Sequence, residues 1–186
     1  TTHVAHGTFP SAHPLSLGVV GNPVAGSRGR IANKIVAEAD VLLVVGSRMD
    51  GRTTRGYTLI LPTTKLIQID MDPGEIGNHY PVEVGIVADA KLAVEALKAA
   101  LEQQVTRPPS IADTPRAKEI AAMVEEWRNE FAPQIHSNGV PIKTPRLFGE
   151  IQQFINDDTI VVVDAGGSSY WAPAYLELSP ENQALY

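Results

Sequence analysis

Residues 37–52 read AEADVLLVVGSRMDGR, and the apolar run Val41 to Val45 at the centre of this stretch decides the fold. Five consecutive aliphatic residues are too few for a helix and too continuous for a strand with one wet face. They predict a strand buried on both sides, as in a parallel sheet. Upstream, Ile31, Ile35, Val36 and Ala39 recur at helical spacing on a segment that starts near Gly29 and enters the run through Asp40. Two further short runs, Leu66 to Ile69 and Ile160 to Val163, share this β-branched character. Strands of this kind alternating with helical segments give the α/β class, a parallel sheet with crossover helices on both faces.

Downstream of the second run, Asp72-Pro73-Gly74-Glu75 has the form of a capping box and predicts a short helix or turn. Val82, Val84 and Ile86 alternate as a further strand would. Asp89 then caps a helix that ends near Gln104, with Ala93, Ala96, Leu97, Ala100 and Leu101 as its inner stripe. The proline-bearing segment Val105-Thr106-Arg107-Pro108-Pro109-Ser110 marks a domain boundary. After it, Ile120, Val124, Trp127 and Phe131 form the apolar stripe of a connecting helix. A second break, Ser137-Asn138-Gly139-Val140-Pro141, precedes a helix with Thr144 as N-cap, Pro145 in its first turn, and Leu147, Phe148, Ile151, Phe154 and Ile155 facing inward. This reading divides the chain into residues 1–104, a linker at 105–143 and a second α/β segment at 144–186.

Composition narrows the function. The 186 residues carry a net charge of -6 and a sequence pI near 5.3, which argues against a phosphate-backbone partner, since nucleic-acid binding draws on clustered Lys and Arg. With no cysteine there is no disulfide frame and no thiolate metal site, and a reducing, cytoplasmic location is expected. No apolar stretch approaches the roughly 20 residues that cross a bilayer, and Thr1-Thr2-His3 lacks the parts of a signal peptide. The absent initiator Met predicts a processed or partial chain. His3, His6 and His13 match no zinc spacing, so no metal site is expected there.

Chemistry should sit at the strand ends, because open α/β sheets bind ligands beyond the carboxyl edges of their strands. The first strand runs into Gly46-Ser47-Arg48-Met49-Asp50-Gly51-Arg52, where glycine admits a close ligand and two arginines suit phosphate or a base. The second runs into Asp70-Met71-Asp72, where a carboxylate suits a ribose diol. Together these ends suggest a nucleotide. The plain alternative is that Asp72 only caps, Asp70 only turns the chain, and both arginines are solvated. Gly26-Ser27-Arg28-Gly29 has the form of a weak phosphate loop before a helix. The third end, Asp164-Ala165-Gly166-Gly167-Ser168-Ser169, offers backbone N–H groups that suit a diphosphate, the alternative being a tight turn. Tyr170 and Trp171 read as core or interface aromatics.

Taken in order, Gly7-Thr8-Phe9-Pro10, His13-Pro14-Leu15-Ser16-Leu17-Gly18, AEADVLLVVGSRMDGR, LIQIDMDPGEIG from Leu66 to Gly77, and Ala88-Asp89-Ala90 resemble the central domain of acetolactate-synthase-like thiamine diphosphate enzymes. IVVVDAGGSSYWAPAY, within the segment Pro145 to Tyr175, is similar to the start of that family's pyrophosphate domain. The resemblance implies a Rossmann-like central domain of six strands, which in several members holds FAD or ADP and in others holds no nucleotide. By position, Gly46, Arg48, Asp50 and Arg52 would line one side of that nucleotide, Asp70 and Met71 its ribose and adenine side, and Ala88 and Asp89 its far edge. Ala165, Gly166, Gly167 and Ser168 would touch thiamine diphosphate. Two departures stand out in the central domain: Ser27-Arg28-Gly29 replaces the family's His-Gly-Thr element, and the loop Asn22 to Gly26 differs in character; in the pyrophosphate segment Gly167-Ser168 stands where many acetolactate synthases have Gln-His, as in a divergent subgroup.

The resemblance further implies a 2-oxo acid substrate, either carboligation or decarboxylation, and a homodimer or homotetramer, since relatives build each active site across two subunits. The family's activating glutamate and its magnesium-holding Gly-Asp-Gly to Asn motif fall outside these residues, so Mg2+ belongs to the whole enzyme, no catalytic residue is assigned here, and this stretch alone is not expected to be active. Thr1-Thr2 resembles the end of a strand whose preceding strand–helix unit is missing, and exposed sheet edges are expected to need cover from other segments. Two competing readings share the layout: a non-catalytic nucleotide-binding module of sirtuin-like or electron-transfer-flavoprotein-like type, and a ligand-free structural domain.

Overall fold

A computed structural model describes residues 1–104 and 114–186, except the side chain of residue 183. The boundary segment at 105–110 therefore lies outside the described residues. Helix α1 spans Gly29–Ala37, strands β1 to β3 Val41–Val45, Lys65–Asp70 and Val84–Val87, and helix α2 Ala90–Gln104. Helices α3 and α4 span Pro115–Ile135 and Thr144–Gln152, followed by β4 at Ile160–Val162, α5 at Ser168–Tyr175 and β5 at Gln183–Leu185. Two compact units emerge, one drawn from Ile35–Thr114 and the other from Thr1–Lys34 with Pro115–Tyr186.

The first unit is built on a parallel sheet in the order β1-β2-β3. Leu43 pairs with Ile67, and Ile69 with Ile86. Side chains alternate between faces in a strand, so one face presents Leu42, Val44, Leu66 and Gln68. Met49, Ile60 and Leu66 form the buried core there, with Val36, Leu42, Val44, Tyr80 and Val82 packed against them. Fully burying a leucine such as Leu66 is worth roughly 1.5–3 kcal/mol. On the other face Ile69 is buried, whereas Val41, Leu43, Val84 and Ile86 are exposed.

Asp89 caps α2 as its position predicts, its Oδ1 accepting the Leu92 N–H at 3.0 Å. The expected inner stripe of α2 is not buried: Leu97 and Leu101 are exposed, because a periodic pattern names a face without supplying its cover. Asp72-Pro73-Gly74-Glu75 forms turns, and the box does not close. The Asp72 N–H goes instead to Asp70 Oδ1 at 3.0 Å, while Glu75 Oε2 is buried with no hydrogen-bond partner among the described residues.

In the second unit β4 and β5, joined through α5, pair in parallel, with Ile160 opposite Gln183 and Val162 opposite Leu185. Phe148, Ala172, Ala174, Tyr175, Leu176 and Leu178 form its core. The α3 stripe Ile120, Val124, Trp127 and Phe131 is buried as expected. Residues 1–28 form turns and bends with no strand, contrary to the reading of Thr1-Thr2 as a strand end. Two further expectations fail in α4. Lys143, with extended backbone, occupies the N-cap, so Thr144 is inside the helix and caps nothing. Phe148 is buried and Ile155 half-buried, but Leu147, Ile151 and Phe154 are exposed.

Candidate functional site

Three strand ends lie side by side on the first sheet because all its strands run the same way. The Gly46 N–H donates to the Ile69 carbonyl at 2.8 Å, and the Ala88 N–H to the Asp70 carbonyl at 3.0 Å. These bonds carry the ladder one step past the strands and fix Gly46, Asp70 and Ala88 along one rim. Gly46 has φ +60, a left-handed backbone that suits glycine, and nothing lies within 4 Å of where its Cβ would be. The rim is open at that point.

Beyond Gly46 the chain pins itself by burying Met49, which is only 2% exposed, while Arg48, Asp50 and Arg52 stay on the surface. Met49 sits at φ 52, a costly region for a bulky side chain that packing must maintain. Asp50 Oδ1 accepts the Thr53 N–H at 2.8 Å, and Thr54 Oγ1 donates to the Asp50 carbonyl at 2.8 Å. Hydrogen bonding from Thr53 holds the Asp50 carboxyl below its ordinary pKa, so it is ionised at neutral pH. Met71 is exposed beside Asp70, and Asp89 follows β3 at the start of α2. Charge thus varies along the rim, with two guanidinium groups flanking the Asp50 carboxylate after β1 and the carboxylates of Asp70 and Asp89 after β2 and β3.

The loop after β4 is organised by its own side chains. Asp164 Oδ1 accepts the Ala165 N–H at 2.7 Å, Ser168 Oγ donates to the Asp164 carbonyl at 2.8 Å, and Ser169 Oγ donates to the Gly166 carbonyl at 2.8 Å. Gly166 has φ +108 and open space where a side chain would be. These contacts leave the N–H groups of Gly166, Gly167 and Ser168 without a hydrogen-bond partner among the described residues, at the start of α5. Ala165, Gly166, Gly167 and Ser168 are all exposed.

Comparison with known proteins gives the family. Residues 1–97 match the family described as thiamine pyrophosphate enzyme, central domain. The chain belongs to the thiamine pyrophosphate enzyme family. Among its relatives in this family, the "Probable acetolactate synthase large subunit" of Methanocaldococcus jannaschii is 33% identical over 178 residues, covering 92% of this chain and 28% of that protein. The acetolactate synthase isozyme 1 large subunit of Escherichia coli is 33% identical over 184 residues, covering 99% of this chain and 30% of that protein. The chloroplastic acetolactate synthase 1 of Oryza sativa is 32% identical over 196 residues, covering 100% of this chain and 27% of that protein. The chain spans under a third of the length of these relatives.

Within this thiamine pyrophosphate enzyme chain, Gly26-Ser27-Arg28-Gly29 is not an open phosphate loop. All four residues are buried. Ser27 Oγ accepts the Gly29 N–H at 2.9 Å, and Arg28 pairs with Glu177 at 3.4 Å with its guanidinium 5.7 Å from the Trp127 ring centroid. The rim also holds one residue the sequence does not single out. Gln68 is fully buried in β2 and hydrogen-bonds across the turn at 75–77, signalled only by a lone amide in an apolar run. Among the described residues no group of three or more His, Cys, Asp or Glu is placed to hold a metal ion, and no helix is long and apolar enough to cross a membrane.

Proposed function

We propose that this chain is part of a thiamine-diphosphate-dependent enzyme that acts on 2-oxo acids, by carboligation of the acetolactate-synthase kind or by decarboxylation. The observation that carries the reading is the trio of unclaimed N–H groups at Gly166, Gly167 and Ser168. Backbone donors at a helix start, with no side chain on the glycines to obstruct approach, suit a diphosphate. Thiamine diphosphate, when bound, supplies the electron sink for the carbanion left when a 2-oxo acid loses CO2. The chain's own part is to hold the diphosphate through these amides, with Ala165 at the edge of the cradle. Mg2+ would be held by residues of the whole protein outside this stretch.

The charged rim supports a second, structural ligand, FAD or ADP. Arg48 and Arg52, near Gly46 and Asp50, would meet phosphate. Asp70 would accept hydrogen bonds from a ribose diol through its carboxylate, Met71 would lie on the adenine, and Ala88 and Asp89 would border the far side. We further place the domain divisions at 104 and 143, the whole protein in the cytoplasm, and its assembly as a homodimer or homotetramer. The lack of cysteine supports the location.

The purified whole protein tests this reading with pyruvate as the probe. CO2 release that requires both thiamine diphosphate and Mg2+ is expected, with an aldehyde or a carbon–carbon coupled acid as the other product separating decarboxylation from carboligation. Flavin absorbance in the same preparation reports on the rim. No 2-oxo acid turnover and no thiamine diphosphate binding would end the enzyme reading.

A further inference from the structure

We infer that Gln68 is a positioning residue of the sheet rim, an inference that rests on the nucleotide reading of that rim. Its side chain is 0% exposed, at a point where the neighbouring buried positions Leu66 and Ile69 are aliphatic. Burying a primary amide in such surroundings is unfavourable unless each polar atom finds a partner. Nε2 donates to the Glu75 carbonyl at 2.9 Å, and Oε1 accepts the Gly77 N–H at 2.9 Å. One planar amide thus pairs with an acceptor and a donor two residues apart, in the way a backbone amide pairs across a sheet. A longer contact of 3.5 Å runs from Nε2 to the Ser47 carbonyl in the loop after β1.

The clamp therefore reaches both loops that flank the rim, from a residue two positions before Asp70. The rest of the turn is held by local bonds, the Gly74 N–H to Asp72 Oδ1 at 2.8 Å and the Glu75 N–H to the Asp72 carbonyl at 3.1 Å, so Gln68 is its tie to the sheet beside the packing of Ile76. Asp72, Gly74 and Gly77 are exposed, and Ile76 is only half-buried. Gly85, paired with Gln68 in the sheet, leaves room for Ile76 to lie over β3. Gln68 fixes the height of the 75–77 turn above the sheet, and so the position of the chain that leaves Asp70 and Met71. No contact between Gln68 and a ligand is involved.

The test uses the whole protein with ADP as probe, titrated calorimetrically well below the melting temperature. Gln68→Met keeps the volume and removes both hydrogen bonds. Gln68→Glu keeps the Gly77 acceptor and turns an oxygen toward the Glu75 carbonyl. Both are expected to weaken ADP binding about tenfold, a shift of roughly 1.4 kcal/mol, and to speed hydrogen exchange at residues 75–77 while β2 itself stays protected. A lower melting temperature with an unchanged ADP Kd would reduce Gln68 to an ordinary structural residue and overturn the inference. If the unaltered protein binds neither ADP nor FAD, the nucleotide reading fails by itself. Exchange then decides the clamp alone, with acceleration confined to 75–77 supporting it and unchanged exchange overturning it.

Discussion

Ile76 occupies the space that a side chain on Gly85 would need. Its Cγ2 lies 2.5 Å from the position of a Gly85 Cβ, far inside van der Waals contact. Gly85→Ala is therefore expected to destabilise the protein by about 1–3 kcal/mol through overpacking. The double variant Gly85→Ala with Ile76→Ala should recover much of that loss, because the second change removes the clashing branch. Denaturant midpoints of the two singles and the double give the coupling. Additive effects would mean that the two residues do not meet.

Trp127 ties α3 to the turn before α1 through one buried hydrogen bond, its Nε1 donating to the Gly26 carbonyl at 2.8 Å. The fit is close, since a Cβ on Gly26 would come within 2.7 Å of Phe131 Cε1 and would also strike the Tyr175 hydroxyl. Trp127→Phe keeps an aromatic ring beside Arg28 but leaves that carbonyl buried without a donor. A loss of about 1–3 kcal/mol is expected in thermal or denaturant unfolding. Gly26→Ala should cost at least as much, because the Phe131 and Tyr175 rings would have to move together.

These two sites show which parts of the architecture a sequence can reveal. Strands β1 to β4 were legible because short runs rich in β-branched residues, such as Val41 to Val45, favour strands, and a parallel arrangement puts Gly46, Asp70 and Ala88 on one rim, whereas β5 was not, since its three residues carry no pattern. The α3 stripe was legible because its spacing repeats over several turns. The α4 face was not, since Leu147 and Phe148 are equally apolar and only packing decides that Phe148 is covered. Arg28 reads as a surface or phosphate-binding cation until Glu177, 149 positions later, is seen beside it. Gln68 is hidden for the same reason, because its partners lie on a turn whose return over the sheet no local pattern encodes.

His6 gives the fold an acid limit. Its Nδ1 lies 2.6 Å from the Tyr186 hydroxyl in a buried setting. Burial pushes its pKa from 6.5 down to about 4, against the smaller upward pull of a hydrogen bond to the Leu176 backbone, with Arg28 adding to the downward shift. The folded protein therefore prefers the neutral ring. Its contribution is complete above about pH 6.5 and is lost as the pH falls toward 4, by an amount on the order of 3 kcal/mol at most. Melting temperatures between pH 7 and pH 4.5 should fall more steeply for the unaltered protein than for His6→Asn. Parallel curves would remove His6 as the source.

Gly166 and Ser168 separate two ways of holding a diphosphate. The Ser168 hydroxyl already donates its proton to the Asp164 carbonyl, so toward phosphate oxygens it offers only lone pairs. Ser168→Ala is therefore expected to leave thiamine diphosphate affinity of the whole protein within about threefold, no more than one ordinary net hydrogen bond converted to binding. Gly166→Val is different, because φ +108 is a conformation that costs a branched residue about 1–3 kcal/mol. The loop would relieve that strain by rotating, which reorients the Gly166 and Gly167 N–H groups. Affinity should fall by at least about tenfold, while the melting temperature of the unliganded protein should fall only by the few degrees that the strain costs, since no atom lies near the new side chain to clash with it. A large loss from Ser168→Ala with none from Gly166→Val would show that the hydroxyl, and not the backbone, is the ligand.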